Sequence, residues 1–204
     1  MKSRLKNVCP SAVSLILALA MMTSFAGCGK KSAAGKTAGK TAGKTAAYAA
    51  AQEAGRRKFC TNNLKQIGNG LEFYKLGTND KFPKAAGTDG LQLLRDGGHL
   101  TDEKVYRCPA AKDSGFSYVY YADGLILRSA NAGQLPVVIC YSHDMKFMNV
   151  LFADGHVKGF ELTDDLPTHE ERVKFVLGKN TRSREAQIIL QNARKLDLRR
   201  DKTE

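Results

Sequence analysis

Residues 60–74, Cys60-Thr61-Asn62-Asn63-Leu64-Lys65-Gln66-Ile67-Gly68-Asn69-Gly70-Leu71-Glu72-Phe73-Tyr74, place Cys60, Leu64, Ile67, Leu71 and Tyr74 at steps of four, three, four and three. That spacing draws one apolar stripe along a helix, with Arg56, Arg57, Lys58, Lys65 and Glu72 mostly off it. The approach from Tyr48 is Ala-rich and free of Pro, so a long helix is expected from Tyr48 to about Tyr74, with Gly77 as its stop signal. Gly68 and Gly70 each cost a helix about 1 kcal/mol relative to Ala, which predicts that another part of the chain packs closely there.

Downstream of this helix the pattern changes period. Phe82-Pro83 marks a loop, Leu91–Leu94 a short amphipathic piece, and strand-like segments follow at Val105–Cys108, Tyr118–Ala122, Leu125–Leu127, Pro136–Ser142, Asn149–Ala153 and His156–Leu162. Asp154-Gly155 between the last two is a strong signal for a two-residue type I′ hairpin, in which Ala153 would pair with His156, and Asp123-Gly124 marks a second candidate hairpin. Helix first and antiparallel hairpins after it predict an α+β fold, a long N-terminal helix packed on a small antiparallel sheet, over residues 48–162. Residues 163–204 read as a helical C-terminal extension. Thr168 and Glu171 form a capping box ahead of Val173, Val176 and Leu177, and Gly178 ends that helix. A second helix from about Arg184 to Leu198 puts Ile188, Ile189, Ala193 and Leu196 on one side and basic residues near its C-terminal end. Its plain role is packing on the domain, and its sharper role is docking to a partner or an anionic surface.

Upstream, residues 1–27 read as an address. Lys2, Arg4 and Lys6 precede an uncharged stretch, Asn7–Gly29, whose apolar heart, Val13–Met22, has the length of a signal-peptide core and is short for a membrane span. Phe25-Ala26-Gly27-Cys28 then resembles the lipobox of bacterial lipoproteins, with Phe25 where Leu is usual. The resemblance implies cleavage before Cys28 and attachment of lipid, palmitate included, to its sulfur. Gly29 is not the Asp that retains some lipoproteins at the inner membrane, so the expected location is the cell membrane, lipid-anchored and facing the periplasm, at the outer membrane in preference to the inner. An uncleaved signal anchor is the alternative, and it exports the rest of the chain equally. Residues 28–47 contain three tandem copies of Gly-Lys-Thr-Ala. They cannot form a phosphate loop, because a strict period of four never sets two glycines five apart, and they read as a flexible cationic spacer.

The 204 residues carry a formal net charge of +12, which invites a nucleic-acid reading. The distribution excludes it: residues 51–180 hold 17 basic and 16 acidic side chains, and the excess lies on the signal, the spacer and the tail. An anionic envelope surface is therefore the expected electrostatic partner, with no nucleic acid.

Cys60, Cys108 and Cys140 remain once Cys9 and Cys28 are assigned to the signal and the lipid. In an exported domain they can form one disulfide and leave one thiol, with three pairings open. Cys140, inside Val137-Val138-Ile139-Cys140-Tyr141, reads as a buried small hydrophobe, and Cys60 and Cys108 are the disulfide candidates. A metal site is the rival, without a Cys-x-x-Cys spacing to support it.

Arg56-Arg57-Lys58-Phe59-Cys60-Thr61-Asn62-Asn63-Leu64-Lys65-Gln66-Ile67-Gly68, Phe82-Pro83, Tyr106-Arg107-Cys108-Pro109 and Asn149-Val150-Leu151-Phe152-Ala153-Asp154-Gly155-His156-Val157 together resemble the type II secretion pseudopilin-like (prepilin-like) proteins with a C-terminal His-x9-Asp-Gly signature. The resemblance implies the pseudopilin-like fold and a non-catalytic interaction domain, with secretion or envelope proteins as candidate partners. Two departures stand out. The prepilin leader and apolar half-helix are replaced by the lipoprotein signal and spacer, which is incompatible with a fibre core. His143 precedes Asp154 with ten intervening residues in place of nine, which predicts a bulge or a longer loop.

His143, Asp144, Asp154 and His156 form the cluster with metal-ligand or acid/base character in this reading. Some pseudopilins carry Ca2+ near their C-terminal loops, so the resemblance makes Ca2+ the candidate ion, with Asp123, Asp144 and Asp154 as oxygen donors. The plainer reading needs no cofactor: Asp154-Gly155 is simply a turn, and the histidines are surface or hydrogen-bonding residues. No nucleophile, zincin or nucleotide-binding motif occurs, and an enzyme is not expected. The alternative function is a metal-dependent enzyme or carbohydrate-binding module centred on His143, Asp154 and His156.

Overall fold

A computed structural model describes residues 38–127 and 130–200, with side chains from residue 45. The signal, Cys28 and the first part of the spacer lie outside the described residues. Helix α1 runs Ala38–Gly77, α2 Thr88–Asp96, α3 His169–Leu177 and α4 Arg184–Arg200, and the strands are β1 Tyr118–Tyr120, β2 Pro136–His143, β3 Phe147–Phe152 and β4 Val157–Glu161. The four strands form one antiparallel sheet in the order β1-β2-β3-β4. The fold is α+β, a long helix against a small sheet with helices at the C-terminus.

Helix α1 buries the expected stripe: Cys60, Leu64, Ile67 and Leu71 are fully enclosed and Tyr74 partly so. The close approach foreseen at the two glycines is present. A Cβ on Gly68 would stand 3.1 Å from Leu151 Cδ1, and one on Gly70 would stand 3.1 Å from Leu100 Cβ. The helix stops at Gly77. Its start corrects the sequence reading, because residues 38–47, expected as flexible spacer, already belong to the helix. Once a helix is nucleated, each further residue adds one hydrogen bond at small cost, so a Lys- and Ala-containing repeat is carried along. Among the described residues, no helix is long and apolar enough to cross a membrane.

Tyr118, Cys140, Asn149 and Gly159 form one cross-strand row and Tyr120, Val138, Leu151 and Val157 another, two residues on. Both rows therefore share the face on which α1 lies. The opposite face presents Ile139, Met148, Val150 and Phe160, and α3 packs against it, with Phe175 edge-on to Phe160 at 6.0 Å and α4 packed in turn against α3. Thr168 and Glu171 make the expected capping box. Asp197 of α4 adds a second cap, its carboxylate accepting from the N–H groups of His169 (2.7 Å) and Glu170 (3.0 Å). Asn192 ties α4 to the sheet by donating to the carbonyls of Tyr121 (2.8 Å) and Asp123 (3.2 Å).

Three local expectations are corrected. Val105–Cys108 is not a strand: Glu103–Tyr106 is a 3-10 turn, started by Asp102, whose carboxylate accepts from Lys104 N. Leu125–Leu127 contributes only a bridge between Lys81 and Ile126. The β3–β4 hairpin has a three-residue loop, Ala153–Gly155, with Phe152 N–H bonded to the His156 carbonyl at 2.9 Å. A type I′ turn needs two positive φ angles, and only Gly155 has one (+88°), so the loop is a turn closed by a left-handed Gly. The turn with two positive φ angles lies instead at Asp144 (50°) and Met145 (56°), between β2 and β3.

Two predictions follow from the α3–α4 layer. Asn192→Ala leaves two buried carbonyls short of a donor and should cost about 1–3 kcal/mol in urea unfolding. Burial, and then the charge of Arg172, hold the His169 imidazole below its usual range. The unfolded chain therefore takes up a proton that the folded chain refuses, so stability should be full above pH about 6.5 and fall as pH drops toward the folded value. His169→Gln should flatten that acid limb in unfolding curves taken as a function of pH.

Candidate metal centre

Four side chains from three separated segments meet between α1 and the sheet. Cys60 is on the buried stripe of α1, Cys108 stands two residues past the 3-10 turn and precedes Pro109, and Cys140 and His143 lie on β2. In a regular strand, residues three apart point to opposite faces. Here Cys140 pairs with Asn149 and His143 with Phe147, three residues of β2 against two of β3. The extra residue is a bulge at Tyr141-Ser142, and it brings Cys140 and His143 onto the same face, toward α1.

None of the four is more than 3% exposed. Their donor atoms, three sulfurs and an imidazole nitrogen, all lie within 4.8 Å of one another. His143 Nε2 is 3.4 Å from Cys108 Sγ, and the Ala110 N–H points at that sulfur from 3.5 Å. The other ring nitrogen, Nδ1, is 2.7 Å from Glu53 Oε1. Glu53 in turn accepts from Arg56 Nε (2.8 Å) and Arg57 Nε (3.3 Å), and the Arg57 guanidinium lies 4.0 Å over the Phe147 ring, the residue paired with His143.

The electrostatics follow from this contact set. Burial works to lower the His143 pKa, but hydrogen bonds to Cys108 and Cys60, the charge on Cys108 and the Glu53 carboxylate together raise it to about 10. Hydrogen bonds from Cys140 and Cys60, with a smaller contribution from His143, hold the Cys108 thiol far below its usual range against burial. Cys140 is pushed up by Cys108 and Cys60 and by burial. Burial also works to raise the Glu53 carboxyl, but Arg56, His143 and Arg57 outweigh it and hold the group below its usual value. The cluster thus centres on Cys108, whose sulfur meets the His143 imidazole and the Ala110 N–H. Three sulfurs and one imidazole, closed off from water, are a soft donor set of the kind that holds a tetrahedral metal ion.

Of the metal-ligand residues read from the sequence, only His143 belongs to this cluster. Asp144 is exposed in the β2–β3 turn. Asp154 and His156 are at the far end of β3, where Asp154 Oδ1 meets His156 Nδ1 at 2.6 Å and the His156 ring stacks on Phe152 at 4.3 Å. Asp123 is on a third turn, beside α4. The set His143, Asp144, Asp154 and His156 is split because β3 separates the two turns, and the oxygen donors foreseen for Ca2+ do not converge. All three cysteines are free thiols in the structure, Cys60 and Cys108 included. Cys140 is buried as expected, yet it shares the cluster with the other two.

Glu53 was missed in the sequence. It stands seven residues, two helical turns, before Cys60, on the extension of the same stripe. An acid in register with an apolar stripe was the available signal.

Residues 49–104, from early in α1 into the 3-10 turn, match a family model described as a protein of unknown function (DUF1559). No curated protein and no solved structure matches the chain. The matched stretch includes Glu53 and Cys60, and it ends just before Cys108.

The turn after His143 carries a testable strain. Met145 is 55% exposed and sits at φ 56°, a conformation that side chains avoid at a cost of about 1–2 kcal/mol. Met145→Gly should therefore raise stability by about 1 kcal/mol, net of the entropy that Gly loses on folding, as read from denaturant midpoints.

Proposed function

We propose that the chain is a membrane-anchored lipoprotein that displays a pseudopilin-like, non-catalytic interaction domain in the periplasm, in the service of type II secretion or envelope assembly. The observation that carries this reading is the outer face of α1. Tyr48, Phe59 and Phe73 are 68%, 66% and 61% exposed. Their spacings of 11 and 14 residues return to within about 40° of one direction on a helix, so they form one aromatic line facing solvent. Exposed aromatic side chains in a row are the anchors of protein-binding surfaces, and a helix presenting them fits a groove on a partner.

The N-terminal part of α1 supports tethering by lipid. Residues 45–52 are all exposed, and the Gly-Lys-Thr-Ala repeat that begins the helix is polar, unlike the apolar half-helix that packs a fibre core. Lipid on Cys28 supplies the membrane affinity that this helix lacks, since acyl chains contribute about 0.8 kcal/mol per buried methylene. A binding role fits the burial of the Cys108–His143 pair, which closes it off from substrate.

Expression of the full chain in a bacterium with lipoprotein maturation tests the reading. Mass spectrometry should find a diacylated or triacylated Cys28 at the mature N-terminus, and Cys28→Ser should abolish palmitate labelling and acylation. An N-terminus cut at a prepilin peptidase site, or left uncut and unacylated, would overturn it.

A further inference from the structure

We propose that Cys60, Cys108, Cys140 and His143 Nε2 bind one Zn2+ as a closed structural site that locks helix α1 to the sheet. This goes beyond the proposed function and does not depend on it. The donor set has the composition of a structural zinc site, three thiolates and one imidazole, with no position left open for water or substrate. Sulfurs about 2.3 Å from a tetrahedral ion lie about 3.8 Å from one another. The observed atoms all fall within 4.8 Å, so ligation requires a contraction of less than a side-chain rotamer change.

The surroundings fit the same ion. A ligating imidazole must present one bare nitrogen, and a carboxylate on the other nitrogen fixes that tautomer. Glu53 Oε1, 2.7 Å from Nδ1, does this, leaving Nε2 directed at the sulfurs. The negative charge of Zn2+ with three thiolates, −1, and of Glu53, −1, faces the guanidinium groups of Arg56 and Arg57 that hold Glu53, with Arg57 also paired to the exposed Glu161. Binding releases the protons of those thiols that are still protonated, and no electron is transferred.

One buried polar group adjoins the cluster along the sheet. Tyr118 is fully buried, and among the described residues its hydroxyl is the buried side-chain atom without a hydrogen-bond partner. Tyr118 is the cross-strand neighbour of Cys140. A disulfide within the cluster would instead neutralise two sulfurs and leave the third, with His143 and Glu53, buried around nothing.

The test uses the full chain, purified without chelator. Metal analysis should find one zinc per chain. Replacement by Co2+ should give the intense visible bands of tetrahedral coordination together with sulfur-to-cobalt charge transfer. Cys108→Ser and His143→Ala should lose the metal. Glu53→Gln should retain it with affinity lowered about 10–100-fold in chelator competition, its far-ultraviolet circular dichroism unchanged. The cobalt spectrum of the unmodified chain decides the matter even where a variant fails to fold. Absence of metal after incubation with Zn2+, a disulfide among the three cysteines by mass, iron with labile sulfide, or a weak octahedral cobalt spectrum would each overturn the assignment.

Discussion

One extra residue in β2 governs the interior of this protein. Without the bulge at Tyr141-Ser142, strand alternation would turn His143 away from Cys140 and out of reach of α1. With it, the imidazole faces the helix, meets Cys108 through one nitrogen and Glu53 through the other, and stacks edge-on against Phe147 at 5.8 Å. The same stretch leads into a turn with two left-handed residues, so the backbone spends conformational energy at the point where the buried polar cluster is assembled.

Helix α1 serves two surfaces with one periodicity. Its inner stripe supplies Glu53, Cys60, Leu64, Ile67 and Leu71 to the core and the cluster, while its outer line of Tyr48, Phe59 and Phe73 remains in solvent. Under the proposed lipid anchoring, the helix would be the mechanical link between the tether and the sheet. A cross-link at Cys60 would fix that link near the middle of the helix, and the glycines at 68 and 70 let the following turns press against Leu151 and Leu100.

In the proposed periplasmic setting, three reduced thiols pose a chemical problem, since oxidising compartments convert neighbouring thiols to disulfides. Ligation to a redox-inert ion answers it, because a metal-bound thiolate inside a closed core is shielded from exchange. The proposed lipid anchor and the proposed zinc site rest on different residues, and each is consistent with the other.

The helix stripe, the stop at Gly77, the close approach at the two glycines, the β3–β4 hairpin and the Thr168 capping box were all legible in the sequence, because each depends on residues within a few positions of one another. The early start of α1, the 3-10 turn in place of a strand at Val105–Cys108 and the exchange of turn types between the two hairpins were not, because packing overrode local propensity. The site was least legible of all. Its members lie at positions 53, 60, 108, 140 and 143, no spacing among them matches a ligand motif, and the parity that unites Cys140 with His143 is reversed by a bulge. The sequence by itself determined an α+β chain with a basic, polar N-terminal region and a neutral body. Only the tertiary structure decided that three cysteines and a histidine are one site, because chain segments tens of residues apart are brought within hydrogen-bonding distance by the packing of a helix on a sheet.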